Sequence, residues 1–105
     1  MDEIKDIQRL LREFADLRNW HEYHTPKNLA MAIAGEAGEL VAEFQWLSQE
    51  EAASLIDAGQ RRDNVADEIA DVAIYLFRLA DVLDINLNAA IRAKVARNET
   101  RSWHI

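Results

Sequence analysis

Four carboxylate residues form two pairs with the same internal spacing in separate parts of the chain. Glu36 and Glu39 form the first pair, and Glu68 and Asp71 form the second. On a helix, residues three apart lie on neighbouring turns of one face. Carboxylates brought this close repel each other, so they either stay protonated or bind a cation. Oxygen ligands suit hard ions, Mg²⁺ first and Mn²⁺ as a substitute, and the spacing therefore favours a magnesium site.

The two acidic pairs border apolar helix faces. With about 100° between successive residues, Leu40 falls on the side of Glu36, and Leu79 falls on the side of Glu68. A single Glu-x-x-Glu pair is normally a solvated edge position, but two matching pairs that each interrupt an apolar face favour a function. Glu43 also falls on this face, without an assigned role. The chain has no Glu-x-x-His motif, which di-iron helical bundles require, so that alternative is weak.

Apolar residues recur at steps of three and four along nearly the whole chain, which is the pattern of amphipathic helices. Local signals mark the helix starts: Thr25-Pro26 is typical of an N-cap followed by a first helical residue, and Ser48 with Glu51 fits a capping box. The predicted helices cover about 4–17, 26–47, a short segment between 48 and 59, 61–83 and 87–99. We therefore predict an all-α, four-helix-bundle-like fold with an additional short helix, in a single domain spanning residues 1–105.

Composition narrows the classes of function. The 105 residues include 12 Lys and Arg against 19 Asp and Glu, a net charge of −7. Such a surface repels duplex nucleic acid and anionic lipid, so we expect neither as a partner, and a phosphorylated ligand would need a metal cation to mediate its binding. No apolar run approaches the roughly 20 residues of a membrane span. Cysteine is absent, which excludes a thiol nucleophile, and a cytoplasmic location is the simplest expectation.

The acidic motifs resemble the signature of the MazG-like, all-α nucleoside triphosphate pyrophosphohydrolases, Glu-x-x-Glu followed after a variable gap by Glu-x-x-Asp. Here the signature corresponds to Glu36-Ala37-Gly38-Glu39 and Glu68-Ile69-Ala70-Asp71. Further segments are similar to the dCTP pyrophosphatase branch of that family, namely residues 20–29, Phe44-Gln45-Trp46, residues 71–76 and Lys94-Val95-Ala96-Arg97-Asn98. The likeness covers about residues 14–101.

The resemblance implies a hydrolase that converts a nucleoside triphosphate and water into the monophosphate and pyrophosphate, with dCTP or a modified form as the expected substrate and nucleotide-pool cleaning as the role. It implies that Mg²⁺ is held, and catalysis performed, by Glu36, Glu39, Glu68 and Asp71. Phosphate contacts are implied for Lys94 and Asn98. A base pocket is implied for Trp20, His24, Trp46 and Tyr75.

We expect the chain to form a homo-oligomer, with a dimer as the minimum. A domain of this size that places carboxylates at the edge of its core has little apolar area left to stabilise a monomer. The resemblance points to a homodimer or homotetramer in which the nucleotide pocket borrows residues from a neighbouring chain. Gly35 and Gly38 interrupt a predicted helix, at a cost of about 1 kcal/mol each, which favours close approach of another helix or a ligand.

Alternatives remain open at this point. The chain could be a non-catalytic nucleotide-binding or protein-interaction module whose carboxylates hold a structural cation. The aromatic residues could be ordinary core residues, the usual role of Trp and Tyr. His21 and His24 are spaced closely enough for a metal pair, but the sequence offers no cysteine or further histidine nearby, so surface packing or a place in a ligand pocket is favoured.

Overall fold

The computed structural model of the chain describes residues 2–100, and every regular element within that range is a helix. The helices are α1 (Glu3–Leu17), α2 (Pro26–Ala42), α3 (Gln49–Ala53), a 3-10 helix (Ser54–Asp57), α4 (Gln60–Val82) and α5 (Leu87–Glu99). The predicted all-α class is confirmed. No helix among the described residues combines the length and the apolar character that crossing a membrane requires.

Local capping explains where the helices begin. The Thr25 hydroxyl accepts the backbone N–H of Asn28 at 3.3 Å, with Pro26 in the first turn of α2. Ser48 and Glu51 form both hydrogen bonds of a capping box at the start of α3. Gly59 has φ +56°, a left-handed conformation that glycine adopts without strain, and it joins the 3-10 helix to α4. These starts follow from sequence signals within a few residues.

Helix α2 ends earlier than its periodicity suggested. It stops at Ala42, and the chain continues through tighter turns in which the N–H of Phe44 donates to the carbonyl of Val41 at 2.9 Å. A change to hydrogen bonds between residues three apart is a common way for a helix to end. Trp46 therefore lies beyond the helix and does not continue its acidic face.

The main packing contact joins α2 to α4, and α1 lies against α4. Two polar contacts hold α1 in place. The buried side chain of Gln8 donates from Nε2 to the carbonyl of Phe77 at 3.0 Å, and Arg12 makes a two-pronged salt bridge to Asp81 at 2.9 Å. Few apolar residues of the described range are buried, namely Ala15, Leu29, Leu55, Val65 and Ala80.

A large part of the apolar surface is left uncovered by the chain itself. Helix α5 contributes no buried residue and packs closely against none of the other described helices. The radius of gyration is 16.4 Å, against about 13 Å for a compact domain of this length. Large apolar residues exposed on several elements include Leu10, Leu17, Met31, Val41, Trp46, Ile56, Ile91 and Val95. The bundle is therefore open on more than one side.

Candidate functional site: an acidic cluster beside an aromatic pocket

Packing of α2 against α4 brings carboxylates from both acidic motifs together. One carboxylate oxygen each of Glu36, Glu68 and Asp71 lies within 4.8 Å of the others, and we call these three residues the acidic trio. Glu36 and Glu68 are half-buried. Separations of this size allow the three side chains to share one cation, and a set of carboxylate oxygens matches a hard ion.

Glu68 is half-buried and surrounded by other negatively charged side chains. Its Oε2 atom is buried without a hydrogen-bond partner. Loss of solvation raises the pKa of Glu68, and neighbouring negative charges raise it further, in decreasing order those of Glu39, Asp71, Glu36 and Glu43. A buried carboxylate oxygen without a donor is costly unless a proton or a cation meets it. The trio therefore fits a metal ion on the evidence of its own geometry.

Glu39 is the one motif acid outside the trio. Its side chain is exposed, yet among the charges that raise the pKa of Glu68 it is the strongest. It therefore stands at the rim of the same cluster.

Four aromatic side chains form a chain of ring contacts next to the acidic trio. The centroids of Phe14 and Trp20 are 5.5 Å apart in an edge-to-face arrangement. Trp20 and His24 follow at 5.8 Å, and His24 and Tyr75 at 6.4 Å. Such spacings are typical of aromatic pairs that stabilise one another. Burial lowers the pKa of His24 first, and the positive charge of Arg78 and then that of His21 lower it further.

The acidic trio and the aromatic rings share a cavity. A cavity of about 380 Å³ is bordered by two of the three acids and by all four aromatic side chains, with lining residues that include Phe14, Trp20, His24, Glu36, Asp71, Tyr75 and Arg78. A second cavity of about 340 Å³ also borders Trp20, His24 and Tyr75, and adds Tyr23 and Asn28. Two carboxylates of the trio, Glu36 and Asp71, thus border the same space as the aromatic rings.

Other predicted site residues lie apart from this cavity. Trp46 has 86% of its surface exposed and borders neither of the two cavities. Lys94 is exposed and Asn98 half-buried on α5, and neither lines them. Within one copy of the chain, only part of the predicted site residues line these cavities. Trp46 and the two predicted residues of α5 lie elsewhere.

The two glycines of α2 are not crowded by this chain. A Cβ atom built at Gly35 or Gly38 meets no described atom within 4 Å. Any close approach at these positions would have to come from a ligand or another molecule. His21 pairs with Asp16, and no group of three candidate metal ligands found among the described residues includes a histidine.

Arg78 is a pocket residue that the sequence motifs did not indicate. It is 3% exposed, lines the shared cavity and donates from Nε to Nδ1 of His24 at 3.3 Å. A signal was present, because Arg78 follows Tyr75 by three residues and Asp71 by seven, which places all three on one stripe of α4. Periodicity alone does not reveal that a cationic side chain on this stripe is buried.

These features define an all-α protein in which a cluster of carboxylates suited to a cation borders a cavity lined in part by aromatic rings. Residues 31–104 match the MazG-like family, and the chain belongs to that family. The match includes both acidic motifs.

Similar proteins agree with this assignment. The chain is 38% identical over 98 residues to dCTP pyrophosphatase 1 of Bos taurus and to that of Homo sapiens, alignments that cover 93% of this chain. It spans 58% of the length of each of these relatives. A dATP/dGTP diphosphohydrolase of Cyanophage S-2L is 43% identical over 54 residues, which are 51% of this chain and 50% of that protein. The crystal structure of a pyrophosphatase from Archaeoglobus fulgidus superposes with a TM-score of 0.85 at 43% identity, covering 94% of this chain and 91% of that one.

Proposed function

We propose that this chain is a nucleoside triphosphate pyrophosphohydrolase that cleaves a deoxynucleoside triphosphate into the monophosphate and pyrophosphate. The observation that carries the proposal is the single cavity bordered both by acids of the trio and by the aromatic rings. A triphosphate and a base occupy opposite ends of one nucleotide, and the cavity is bordered both by carboxylates that could hold a cation and by aromatic rings. The names of the relatives support the same reaction.

Within this proposal the carboxylates of Glu36, Glu68 and Asp71 hold Mg²⁺, for which Mn²⁺ substitutes, and Glu39 at the rim completes the set. When bound, the ion would neutralise the phosphate oxygens and activate water for attack. The acids themselves fix the position of the charged end of the substrate, because the triphosphate cannot approach them without the cation. Lys94 and Asn98 are proposed to contact the phosphates, a role that requires α5 to lie near the site in the assembled protein.

We propose dCTP, or a form of it modified on the base, as the substrate. Trp20, His24 and Tyr75 line both cavities and offer rings on which a base could stack, worth about 1–3 kcal/mol per base. The relatives named dCTP pyrophosphatase 1 align with 93% of the chain, whereas the phage relative named dATP/dGTP diphosphohydrolase aligns with 51%. Trp46 is the remaining proposed wall.

A homodimer or homotetramer is proposed as the working form. The exposed apolar side chains and the loosely packed α5 need a cover that the chain does not supply. Association would also allow Trp46 and the residues of α5 to reach the cavity of a neighbouring copy. The cytoplasmic location and the single-domain organisation over residues 1–105 stay predictions.

Release of pyrophosphate from purified protein tests the reaction. We expect hydrolysis of dCTP with Mg²⁺ and none with excess EDTA, with kcat/KM for dCTP above those for dTTP, dUTP, dATP and dGTP. Trp46→Ala is expected to raise KM for dCTP. Binding of nucleotide without pyrophosphate release would favour a non-catalytic module. Hydrolysis of dATP or dGTP as efficient as that of dCTP, or an unchanged KM for Trp46→Ala, would contradict the proposed base pocket. Neither result would contradict the proposed cation site.

A further inference from the structure

A buried arginine joins the aromatic pocket to the contact between α1 and α4. The Nε atom of Arg78 donates to Nδ1 of His24 at 3.3 Å, and its Nη1 atom lies 3.4 Å from Oδ2 of Asp81. The carboxylate of Asp81 is held in turn by Arg12, whose Nε and Nη2 atoms each donate at 2.9 Å. With only 3% of its surface exposed, Arg78 has little freedom to turn away from these partners.

This contact decides which nitrogen of His24 carries the proton. A neutral imidazole has one N–H donor and one acceptor nitrogen. Because arginine can only donate, Nδ1 of His24 must be the acceptor and Nε2 must carry the hydrogen. Burial and the charge of Arg78 lower the pKa of His24, which favours the neutral ring. Among the described residues, no side chain or backbone group hydrogen-bonds Nε2, and that N–H is available to a ligand.

We propose that Arg78 is a positioning residue that fixes His24 as an Nε2–H donor toward the nucleobase. The inference rests on the proposed function for the identity of the ligand. For that ligand it adds a requirement: the base must present a hydrogen-bond acceptor atom to Nε2–H of His24.

The ring geometry favours the base over the phosphates as the partner of this N–H. His24 contacts both Trp20 and Tyr75, the rings proposed to stack on the base, and among the described residues no acid of the trio is a ring or hydrogen-bond partner of His24. An N–H group at the edge of a stacked base can donate to the unprotonated N3 of cytosine, whereas the N3–H of thymine or uracil is itself a donor and would face it without a hydrogen bond. A buried donor facing another donor is penalised more strongly than a hydrogen bond is rewarded. Selection of cytosine can therefore depend on a residue that never touches it.

Two substitutions separate this role from simple packing. Arg78→Met keeps a side chain of similar length and removes every donor. Arg78→Lys keeps a positive charge for Asp81 but has no N–H at the Nε position, so it remains informative if the methionine variant fails to fold. Arg9→Met is the matched control, since Arg9 is an exposed arginine of α1 whose only described ion pair is with Asp6.

The first measurement is the tautomer of His24 in the free protein, read from long-range ¹⁵N–¹H spectra at neutral pH. We expect a protonated Nε2 and an unprotonated Nδ1 in the native protein and in Arg9→Met, and a mixture of both tautomers in the Arg78 variants.

The second measurement is the hydrolysis kinetics with dCTP and with a deoxyribose triphosphate that lacks a base. KM for dCTP is expected to rise about three- to tenfold with little change in kcat, because a base contact is made alike in ground and transition states. The baseless substrate should show no such change.

A native His24 protonated on Nδ1, an unaltered tautomer in the folded Arg78 variants, or equal effects on dCTP and the baseless substrate would each overturn the proposal. A shifted tautomer in a protein that hydrolyses no nucleotide would instead overturn the proposed function and the nucleobase as ligand, while establishing the control of His24 by Arg78.

Discussion

Asp67 and Asp71 lie one turn apart on the same helix with the same charge, but only Asp71 belongs to the acidic trio. This pair tests the cation site. We expect Asp71→Asn to reduce turnover by about a hundredfold or more, because it removes a ligand charge, and Glu39→Gln to do the same at the rim. The helical CD signal and Tm should be unchanged or higher, since like charges no longer repel. Initial rates of pyrophosphate release with Mg²⁺ and thermal melts are the measurements.

Asp67→Asn is the control for this experiment and should retain native activity. Full native activity in EDTA, or unfolding of both acidic-site variants, would rule out the assignment of these carboxylates.

His24 makes stability depend on pH in a direction that its environment fixes. Burial, the charge of Arg78 and that of His21 hold the pKa of His24 below the value of 6.5 that it has when exposed. The unfolded chain therefore binds a proton more readily, and the free energy of unfolding falls as pH drops below about 6.5. We expect His24→Gln to remove part of this loss between pH 7.5 and pH 5.5 in denaturant titrations. His21→Gln should keep most of the pH dependence, because it removes only the smallest of the three causes that lower the pKa of His24. An identical pH dependence in His24→Gln and the native protein would contradict the assignment.

At the scale of elements, α1 depends on polar contacts for its position because few apolar side chains lie beneath it. Gln8 is 6% exposed, and its amide reaches the backbone of α4. We expect Gln8→Met, which preserves volume but not the hydrogen bond, to lower the free energy of unfolding by about 1 kcal/mol. Arg9→Met, on the exposed side of α1, should change it by less than about 0.5 kcal/mol. Urea titrations followed by CD measure both, and equal effects would mean that the amide contributes nothing.

The same helix contact links stability to the site. Arg12 and Asp81 join α1 to α4, and Asp81 also meets Arg78, which contacts His24. Asp81 raises the pKa of the Arg12 guanidinium through a hydrogen bond first and its charge second. The packing of α1 against α4 therefore also holds Asp81 and Arg78 in place, and through them His24 in the aromatic pocket.

At the scale of the whole molecule, the apolar surface of α5 is the clearest sign of an assembly. Ile91 and Val95 are each about half exposed, with a groove of about 550 Å³ beside them. A second copy of the chain would bury this surface and add stability that increases with concentration. We expect the native protein to scatter light at micromolar concentration with at least twice the chain mass of 12.0 kDa.

Ile91→Glu is predicted to shift this mass toward that of a single chain, because it places a charge in the contact. Ala93→Glu, on another side of the same helix, is the matched control and should leave the mass unchanged. A native mass of 12.0 kDa would contradict the oligomer altogether, and an unaffected Ile91→Glu would exclude this face of α5 from the contact.

The sequence by itself determined the helices and the acidic motifs, because both depend on residues a few positions apart. The N-cap Thr25, the capping box at Ser48 and the left-handed Gly59 lie where local chemistry places them. The paired carboxylates were visible because one helical turn relates their members. The end of α2 at Ala42 was not, since apolar spacing continues through turns as well as through helix.

Only the tertiary structure decided which of these groups meet. Helix packing selects Glu36, Glu68 and Asp71 as the trio and leaves Glu39 at the rim, a distinction that spacing along either helix does not contain. The role of Arg78 depends on His24, which lies 54 residues away. Contacts between such distant positions depend on how the helices pack against each other. The residue pattern of one helix does not specify which residues of another helix will face it.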